Sequence, residues 1–192
     1  MNRYFLFAII LLIAVAGCQK TKNKSSRTNI DACSLITSDE VQKIEGSPVK
    51  DVKPSANSDG SFRISQCFYT TETFAQSVSL AVTERDPASD KARDPKAFWK
   101  DTFGRYASSV KEQEGDEEKK KSLGEKEEER GAPPKKIEGV GDDAWWSANR
   151  MGGAIYVLKD NVFIRISVGG ADKEEAKIER SKALAAKALS RL

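Results

Sequence analysis

Histidine is absent from the 192 residues of the chain. A Ser-His-Asp triad is therefore impossible, and the commonest general base of enzymes is missing. Paired carboxylates remain a route to the hydrolysis of cell-wall material or glycans, but the sequence does not place two of them at a defined separation. We therefore expect no catalytic residues and no enzyme activity, with a carboxylate-dependent hydrolase as the less favoured alternative.

A strong excess of one charge is also lacking, since 32 basic residues stand against 29 acidic ones. A basic face that would bind nucleic acid is not indicated, so we expect no nucleic-acid partner. Residues 139–144 (GVGDDA) superficially match a dinucleotide fingerprint. That fingerprint requires a helix directly after the glycines, whereas a Trp-rich strand follows here, and we expect no cofactor.

One long apolar run occurs, at the N-terminus, where Arg3 precedes residues 5–15 without a polar side chain. A membrane-spanning helix needs about 20 such residues, so this run is typical of a removable signal peptide. Residues 15–18 (VAGC) resemble the lipobox of bacterial lipoproteins, in which signal peptidase II cleaves before a lipidated cysteine. The resemblance implies that residues 1–17 are removed and that Cys18 is lipidated and holds the protein on a membrane.

Residues 18–30 are polar and basic, and we interpret them as a lipidated, flexible tether. Gln19 follows Cys18, which resembles the signal for transfer to the outer membrane in a bacterium with two membranes. The expected location is therefore the cell envelope, at the periplasmic face of the outer membrane in such a host. We expect a monomer that contacts the membrane through its lipid and binds an envelope protein or a small ligand.

Cysteine is scarce, and only Cys33 and Cys67 remain once Cys18 is lipidated. The exported compartment permits disulfides, so a structural bond between these two is favoured. A redox site or a metal site is the alternative. No Cys-x-x-Cys pair and no histidine supports either, and we expect no metal.

Residues 31–192 form one predicted domain that starts with a helix. Thr37 and Glu40 have the spacing of a capping box, and Gly46 ends the helix. Alternating patterns predict strands at 61–70, with Phe62, Ile64 and Phe68 on one face, and at 76–84, with Val78, Leu80 and Val82 on one face. Asp94-Pro95 starts a second helix whose apolar stripe is Trp99, Phe103, Tyr106 and Val110.

Residues 111–136 contain dense charges of both signs and few apolar side chains, and we interpret them as a mobile, disordered insertion. A charged arm that grips a partner is the functional alternative.

Strands are predicted again at 144–148, 154–159 and 162–168, with a tight turn at Asp160-Asn161. The final helix is predicted to be capped by Asp172, with Glu175 three residues on. Its apolar face comprises Leu184, Ala185, Ala188, Leu189 and Leu192. Hairpins between helices, without regular strand-helix alternation, predict an α+β domain in which helices cover an antiparallel sheet.

The motif DACSLIT at 31–37 and Cys67-Phe68-Tyr69 resemble a family of bacterial lipoproteins of unknown function with the pattern DxCSLLT and CxY. The segment GVGDDAW at 139–145, with the hairpin and helix after it, is similar to the same group and to the LpqN and PsbP type of fold. The resemblance implies a disulfide between Cys33 and Cys67 and a PsbP-like α/β sandwich on an antiparallel sheet. It implies no catalytic residues.

Trp145 and Trp146 point to opposite faces if their segment is a strand, so one interpretation is that one is buried and the other is exposed for binding a sugar or peptide. Burial under the charged loop or a helix explains the pair equally well. Asp142 and Asp143 are candidates for cation binding, but two carboxylates fall short of the six or more oxygens of a calcium site, and a role in capping a turn is favoured.

Overall fold

The computed structural model describes residues 29–112, 132–149 and 152–192. The helices are α1 (Ser38–Glu45), α2 (Pro95–Glu112) and α3 (Glu174–Leu189). The strands are β1 (Val49–Ser58), β2 (Phe62–Thr71), β3 (Val78–Arg85), β4 (Lys135–Lys136), β5 (Asp143–Asn149), β6 (Gly152–Lys159) and β7 (Val162–Val168). Single 3-10 turns occur at Ala32–Ser34 and Phe74–Gln76.

The described strands form one antiparallel sheet in the order β1-β2-β3-β7-β6-β5-β4. The pairing of β3 with β7 in its centre joins a meander of three strands to a meander of four. Helices α1 and α3 pack on one face of this sheet and α2 packs on the other. The prediction of an α+β fold with helices over an antiparallel sheet is confirmed.

Alternation along the strands sends side chains into two separate hydrophobic clusters. The main cluster lies under α1 and α3 and includes alternate residues of the central strands, such as Leu80, Ile155 and Ile166. The second cluster lies under α2 and consists of Trp99, Phe103, Trp145 and Leu158, with Tyr106, Tyr156 and Phe163 packed at its edge. The sheet therefore has a buried layer on each side.

Several predicted boundaries are confirmed with their capping contacts. Thr37 and Glu40 form the reciprocal capping box of α1, and Gly46 ends the helix with a φ of 74°. The carboxylate of Asp94 accepts a hydrogen bond of 2.8 Å from the amide of Ala97 at the start of α2. Asp160, with a φ of 53°, occupies the predicted turn between β6 and β7.

The structure contains an edge strand, β1, that the sequence analysis did not predict. Only Val49 and Val52 are half-buried, and the other residues of the strand are exposed. The strand therefore has no alternating apolar pattern, and it contains Pro54, which is tolerated at a sheet edge because no partner there needs its missing amide. Pairing with β2, and not its own composition, makes this segment a strand.

Two predictions about the final helix are wrong. The residue that precedes α3 at the cap position is Lys173, without a side-chain capping bond. Asp172 instead accepts a hydrogen bond of 2.9 Å from Nη2 of Arg180, which holds its carboxylate away from the helix start. Leu192 is 40% exposed because the helix ends at Leu189, whereas Leu184, Ala185 and Ala188 are fully buried as predicted.

The burial of β2 also differs from the prediction. Cys67 and Tyr69 fill the main cluster, so the face opposite to Ile64 and Phe68 is the more buried one. The reason is that α1 and the N-terminal 3-10 turn cover that face, and the hydroxyl of Tyr69 donates a bond of 2.6 Å to the carbonyl of Ile36.

The predicted insertion at 111–136 lies mainly outside the described residues. Its ends belong to regular structure, contrary to the prediction, because α2 continues to Glu112 and Lys135–Lys136 forms β4 beside β5. Both lysines have acidic partners, Glu174 for Lys135 and Asp143 for Lys136, which accounts for an ordered pair of charged residues.

The ordered domain begins before Asp31, since Ile30 packs against the main cluster and its amide donates a bond of 3.1 Å to Glu84. The two hydrophobic clusters and the disulfide join residues of 29–192, so a chain of residues 29–192 contains both partners of each of these contacts. None of the described helices is long and apolar enough to cross a membrane.

Candidate functional site

The predicted disulfide is present between Cys33 and Cys67, with the two Cα atoms 5.0 Å apart. It ties the N-terminal 3-10 turn to the second strand of the sheet. Cys67 is completely buried and belongs to the main cluster. This position gives the bond a structural role. Cys18, the predicted lipidation site, lies outside the described residues.

Trp145 and Trp146 project to opposite faces of β5, as predicted, but neither is available to a ligand on the surface. Trp145 is 0% exposed in the second cluster and Trp146 is 1% exposed in the main cluster. The interpretation with one exposed tryptophan is wrong, and burial under a helix is correct, because α2 covers one face of this strand and α3 covers the other. Both residues are core residues.

Asp142 and Asp143 have separate structural roles. Asp142 accepts a bond of 2.7 Å from the amide of Asp160 and one of 3.1 Å from Lys159, and thereby stabilises the β6-β7 turn. The hydrogen bond from Asp160 holds the pKa of Asp142 below its ordinary value. A turn role was the favoured interpretation, and these contacts agree with it.

Asp143 connects α2 to the sheet. Its Oδ2 accepts the indole N–H of Trp99 at 2.8 Å and that of Trp145 at 3.2 Å, and its Oδ1 pairs with Lys136. Burial raises the pKa of Asp143, but the bonds from Lys136, Trp99 and Trp145 outweigh it, and the pKa lies below the usual range. Within the described residues no group of three or more acidic or cysteine side chains is suited to hold a metal.

Two concave surfaces remain as candidate binding sites. The first is a groove of about 570 Å³ beside the N-terminal segment, which we call the edge groove. It is lined by Asn29, Ile30, Asp31, residues 54–58, Arg63 and Ser65. Much of this lining belongs to the exposed strand β1, so the groove has few buried side chains that would define a ligand.

The second is a cleft of about 290 Å³ between α2 and the sheet, which we call the aromatic cleft. Helix α2 contributes residues one and two turns apart on one stripe, and β5, β6 and β7 contribute one residue each on the facing side of the sheet. The lining residues are Phe98, Trp99, Thr102, Phe103, Arg105, Tyr106, Pro134, Ser147, Tyr156 and Phe163.

The rings of the aromatic cleft pack closely against one another. The ring centroids of Trp99 and Phe103 lie 4.5 Å apart, and those of Phe103 and Tyr156 lie 5.6 Å apart. Phe98 stacks on Phe163 at 5.9 Å. Because Asp143 fixes the Trp99 indole and Trp145 backs Phe103, the walls of the cleft are held in place before any ligand enters.

Polar groups lie at the rim of this aromatic wall. Nε of Arg165 donates a bond of 3.2 Å to the hydroxyl of Tyr156, and Arg105 lies over the ring of Tyr106. Apolar walls with a few fixed polar groups are the usual composition of small-molecule sites. The arrangement can hold a flat apolar group and orient it through hydrogen bonds.

The sequence pattern predicted a core stripe of Trp99, Phe103 and Tyr106 but did not indicate that these residues form the wall of a cleft. It also did not single out Tyr156 and Arg165. Arg165 was one signal in the sequence, because a charged residue in the middle of a strand of apolar residues needs a specific environment. Recognition of the cleft required the register that places β6 and β7 under α2.

No protein-family profile matches the chain, and no curated protein matches it. Among solved structures, the chain is similar to a GTP binding regulator from Thermotoga maritima, with 11% sequence identity over 82% of this chain and 90% of the other. The TM-score of this similarity is 0.39, which is too low to support a common fold or function.

Proposed function

We propose that this protein is a lipid-anchored binding protein of the bacterial envelope that holds a small apolar or amphiphilic ligand in the aromatic cleft without catalysing a reaction. The observation that carries the proposal is the cleft itself, a preformed cavity of about 290 Å³ walled by aromatic rings from α2 and the sheet. The edge groove is larger but lies along exposed strand residues.

The preformed walls support binding because little reorganisation is required when a ligand enters. Trp99 is fixed by Asp143, and Phe103 is held between the Trp99, Trp145 and Tyr156 rings. A rigid site loses less conformational entropy on binding than a flexible one. Aromatic side chains also provide large contact areas for a flat or cyclic group.

Export and anchoring are proposed from the N-terminal sequence. The lipobox-like residues 15–18 support a lipid on Cys18, and the disulfide between Cys33 and Cys67 is compatible with an oxidising compartment. Multiple acyl chains on one cysteine make anchoring stable, where one chain binds only marginally. The proposed location is the envelope, with the outer membrane favoured by Gln19 in a host with two membranes.

The anchoring is tested on the full chain in a bacterial host with an alkyne analogue of palmitate. We expect label on the wild type and none on Cys18→Ser. Cys33→Ala with Cys67→Ala serves as the control, because its label should be unchanged. Equal labelling of the wild type and Cys18→Ser would contradict the proposed anchor.

Ligand binding is tested with residues 29–192, produced in an oxidising compartment, and with phenyl-naphthylamine, a neutral aromatic probe that fluoresces in apolar surroundings. Ser147 lines the aromatic cleft, so the larger side chain of Ser147→Leu should fill the cleft and lower the affinity for the probe by about tenfold. Ser55 lines the edge groove, and Ser55→Leu is the matched control, with no change expected. The reverse result would move the site to the edge groove, and absence of probe binding to the wild type would contradict the proposal.

A role as an accessory component of an envelope complex is the second candidate. It is favoured by Phe74, which is 70% exposed in the loop between β2 and β3. A photo-crosslinking residue at position 74 should then capture a discrete envelope protein in cells, whereas one at the exposed Asp90 should not. Equal background capture at both positions would exclude this use of Phe74.

A further inference from the structure

Arg165 occupies the middle of β7, on the face of the sheet that α2 partly covers. Its register partners are Ala81 on β3 and Tyr156 on β6. Phe163 and Ser167 are its neighbours on the same face, and the side chain is half-buried. These register partners and same-face neighbours are small or aromatic residues and include no carboxylate.

The guanidinium of Arg165 has one hydrogen bond within the described residues, from Nε to the hydroxyl of Tyr156 at 3.2 Å. Its Cζ lies 5.8 Å from the centroid of the Tyr156 ring. None of the ion pairs between described residues includes Arg165. Arginine carries five N–H donors in a planar fork, so the Nη groups retain capacity for an anion.

The contrast with Arg180, on the other side of the domain, shows what is unusual about Arg165. Arg180 is also largely buried, and it pairs with Glu45 at 3.2 Å and with Asp172 at 2.9 Å. Charged side chains removed from water are usually paired in this way. Arg165 is also half-buried, but it has no acidic partner among the described residues.

The position of Arg165 relates it directly to the aromatic cleft. Tyr156, which accepts its hydrogen bond, and Phe163, which precedes it on the same face, both line the cleft. Arg165 is not itself one of the lining residues, but its guanidinium is bonded to the hydroxyl of a ring that contacts the cavity. A ligand with an apolar part among the rings can bring a charged group to the Nη donors.

We propose that the ligand of the aromatic cleft is an anionic amphiphile, with a cyclic or aromatic apolar group between α2 and the sheet and a carboxylate, phosphate or sulfonate paired with Arg165. This inference rests on the function proposed above, because it names the chemical class of the ligand for the same cleft. Recognition of the anion by the guanidinium fork would supply the orientation that the apolar walls alone do not.

The test compares two fluorescent probes on residues 29–192. Anilinonaphthalene sulfonate carries an anionic group on an aromatic frame, and phenyl-naphthylamine has nearly the same frame without the charge. We expect the wild type to bind the sulfonate more tightly. Arg165→Gln should lower the affinity for the sulfonate by about tenfold or more, as expected when a charge-assisted hydrogen bond is lost. Its affinity for the neutral probe should be unchanged.

Two matched arginine variants accompany this measurement. Arg105→Gln removes the arginine that lines the cleft itself, and Arg63→Gln removes an arginine of the edge groove. Arg63→Gln should retain the sulfonate affinity within about twofold, and Arg105→Gln should lower that affinity less than Arg165→Gln does. Arg165→Lys should lie between the wild type and Arg165→Gln because lysine keeps the charge but not the fork. Unchanged affinity of Arg165→Gln for the neutral probe verifies that its cleft is intact.

The outcomes separate this inference from the proposed function. If the wild type binds both probes equally and Arg165→Gln has no effect, the anionic class is wrong while the cleft remains a binding site. A loss of sulfonate affinity in Arg105→Gln but not in Arg165→Gln would also overturn the assignment. If neither probe binds the wild type, both the proposed function and this inference fail.

Discussion

Trp145 and Trp146 are adjacent in β5 and belong to two different hydrophobic clusters, one on each face of the sheet. The separation follows from the alternation of side chains along a strand. Trp145 packs under α2 beside Phe103, and Trp146 packs under α3. This dipeptide therefore links the two layers of the core, and substitutions around it are expected to affect stability on both sides.

Gly153 tests the packing of Trp146. A Cβ added at Gly153 would overlap the indole ring of Trp146. Gly153→Ala should therefore lower the free energy of unfolding by about 1 to 3 kcal/mol, as overpacking does. Gly104→Ala in α2 is the control, because among the described residues a Cβ there meets Lys100 at an ordinary distance of 3.6 Å and alanine favours a helix. Urea unfolding followed by circular dichroism gives both values, and equal stability of the two variants would contradict the expected overlap.

Asp143 tests the attachment of α2. Asp143→Ala leaves two buried indole N–H groups without their acceptor and should destabilise the protein by about 2 to 4 kcal/mol. Asp143→Asn keeps an acceptor oxygen and should lower the free energy of unfolding by clearly less than Asp143→Ala does. The neighbouring Asp142→Ala is the control and should cost about 1 kcal/mol, since its bonds lie in an exposed turn. If Asn and Ala are equally harmful at position 143, the charge pair with Lys136 and not the indole bonds dominates.

The disulfide between Cys33 and Cys67 closes a segment with a sequence separation of 34 residues. On the chain-entropy account, its removal should lower the free energy of unfolding by about 3 to 4 kcal/mol. The double variant Cys33→Ala with Cys67→Ala is compared with the wild type in urea, with and without a reducing agent. Reduction should destabilise the wild type and leave the variant unchanged. Equal stability of oxidised and reduced wild type would show that the bond constrains little.

Glu45 is a buried carboxyl at the end of α1, with a side chain that is 0% exposed, and its one ion-pair partner among the described residues is Arg180. Neither of its oxygens accepts a hydrogen bond from the described residues. Burial raises the pKa of Glu45 to about 7, against the opposing effect of Arg180. The folded protein therefore holds this proton more tightly than the unfolded chain does.

The pH dependence of stability follows from that shift. The contribution of Glu45 is fully present below pH 4.5, the ordinary pKa of the carboxyl, and is lost as the pH rises to about 7. The difference amounts to roughly 3 kcal/mol. Glu45→Gln, which resembles the protonated form, should match the wild type near pH 4.5 and exceed its stability at pH 8.

Urea unfolding at several pH values measures this effect. The chain has no histidine, so no imidazole contributes between pH 4.5 and 7. The acidic residue Glu72, which is 56% exposed and paired with Lys50, provides the control variant Glu72→Gln, with no comparable gain at pH 8. A Glu45→Gln protein less stable than the wild type at pH 8 would show that the ion pair with Arg180 outweighs the cost of burial.

The pKa of Glu40 is shifted in the opposite direction to that of Glu45. The hydrogen bond from Arg191 lowers the pKa of Glu40 to about 2, with a further contribution from the Thr37 amide. Its stabilising contribution is present above pH 4.5 and is lost as the pH falls toward 2. Arg191→Gln should therefore reduce stability more at pH 6 than near pH 2, where only the bond from Arg191 to the Leu35 carbonyl is lost, as measured by thermal unfolding. A reduction of equal size at both pH values would exclude this ion pair as the cause.

Much of the local structure could be predicted from short stretches of sequence. Thr37 with Glu40, Asp94 with Pro95, and the Asp160-Asn161 turn each act through contacts between residues a few positions apart. The alternation in β7 identifies a strand because its period of two is visible within seven residues. The α+β class follows from the order of such elements.

Other features depend on partners that are distant in sequence. β1 is a strand because β2 lies beside it, and its own residues have no alternating pattern. Asp172 does not cap α3 because Arg180 engages its carboxylate. The pairing of β1 with β2 and of Asp172 with Arg180 could not be predicted from the sequence, because each local pattern was compatible with more than one partner.

The aromatic cleft likewise depends partly on local sequence patterns and partly on partners that are distant in sequence. The apolar stripe of α2 and the alternation of β5 and β7 are properties of the sequence alone, as is the absence of histidine that excludes a common catalytic apparatus. Only the tertiary structure buried both tryptophans, brought Tyr156 and Phe163 under α2, and left Arg165 at the cleft without an acidic partner among the described residues. Periodicity fixes which side chains share a face, whereas the pairing of strands and the seating of helices decide what each face meets.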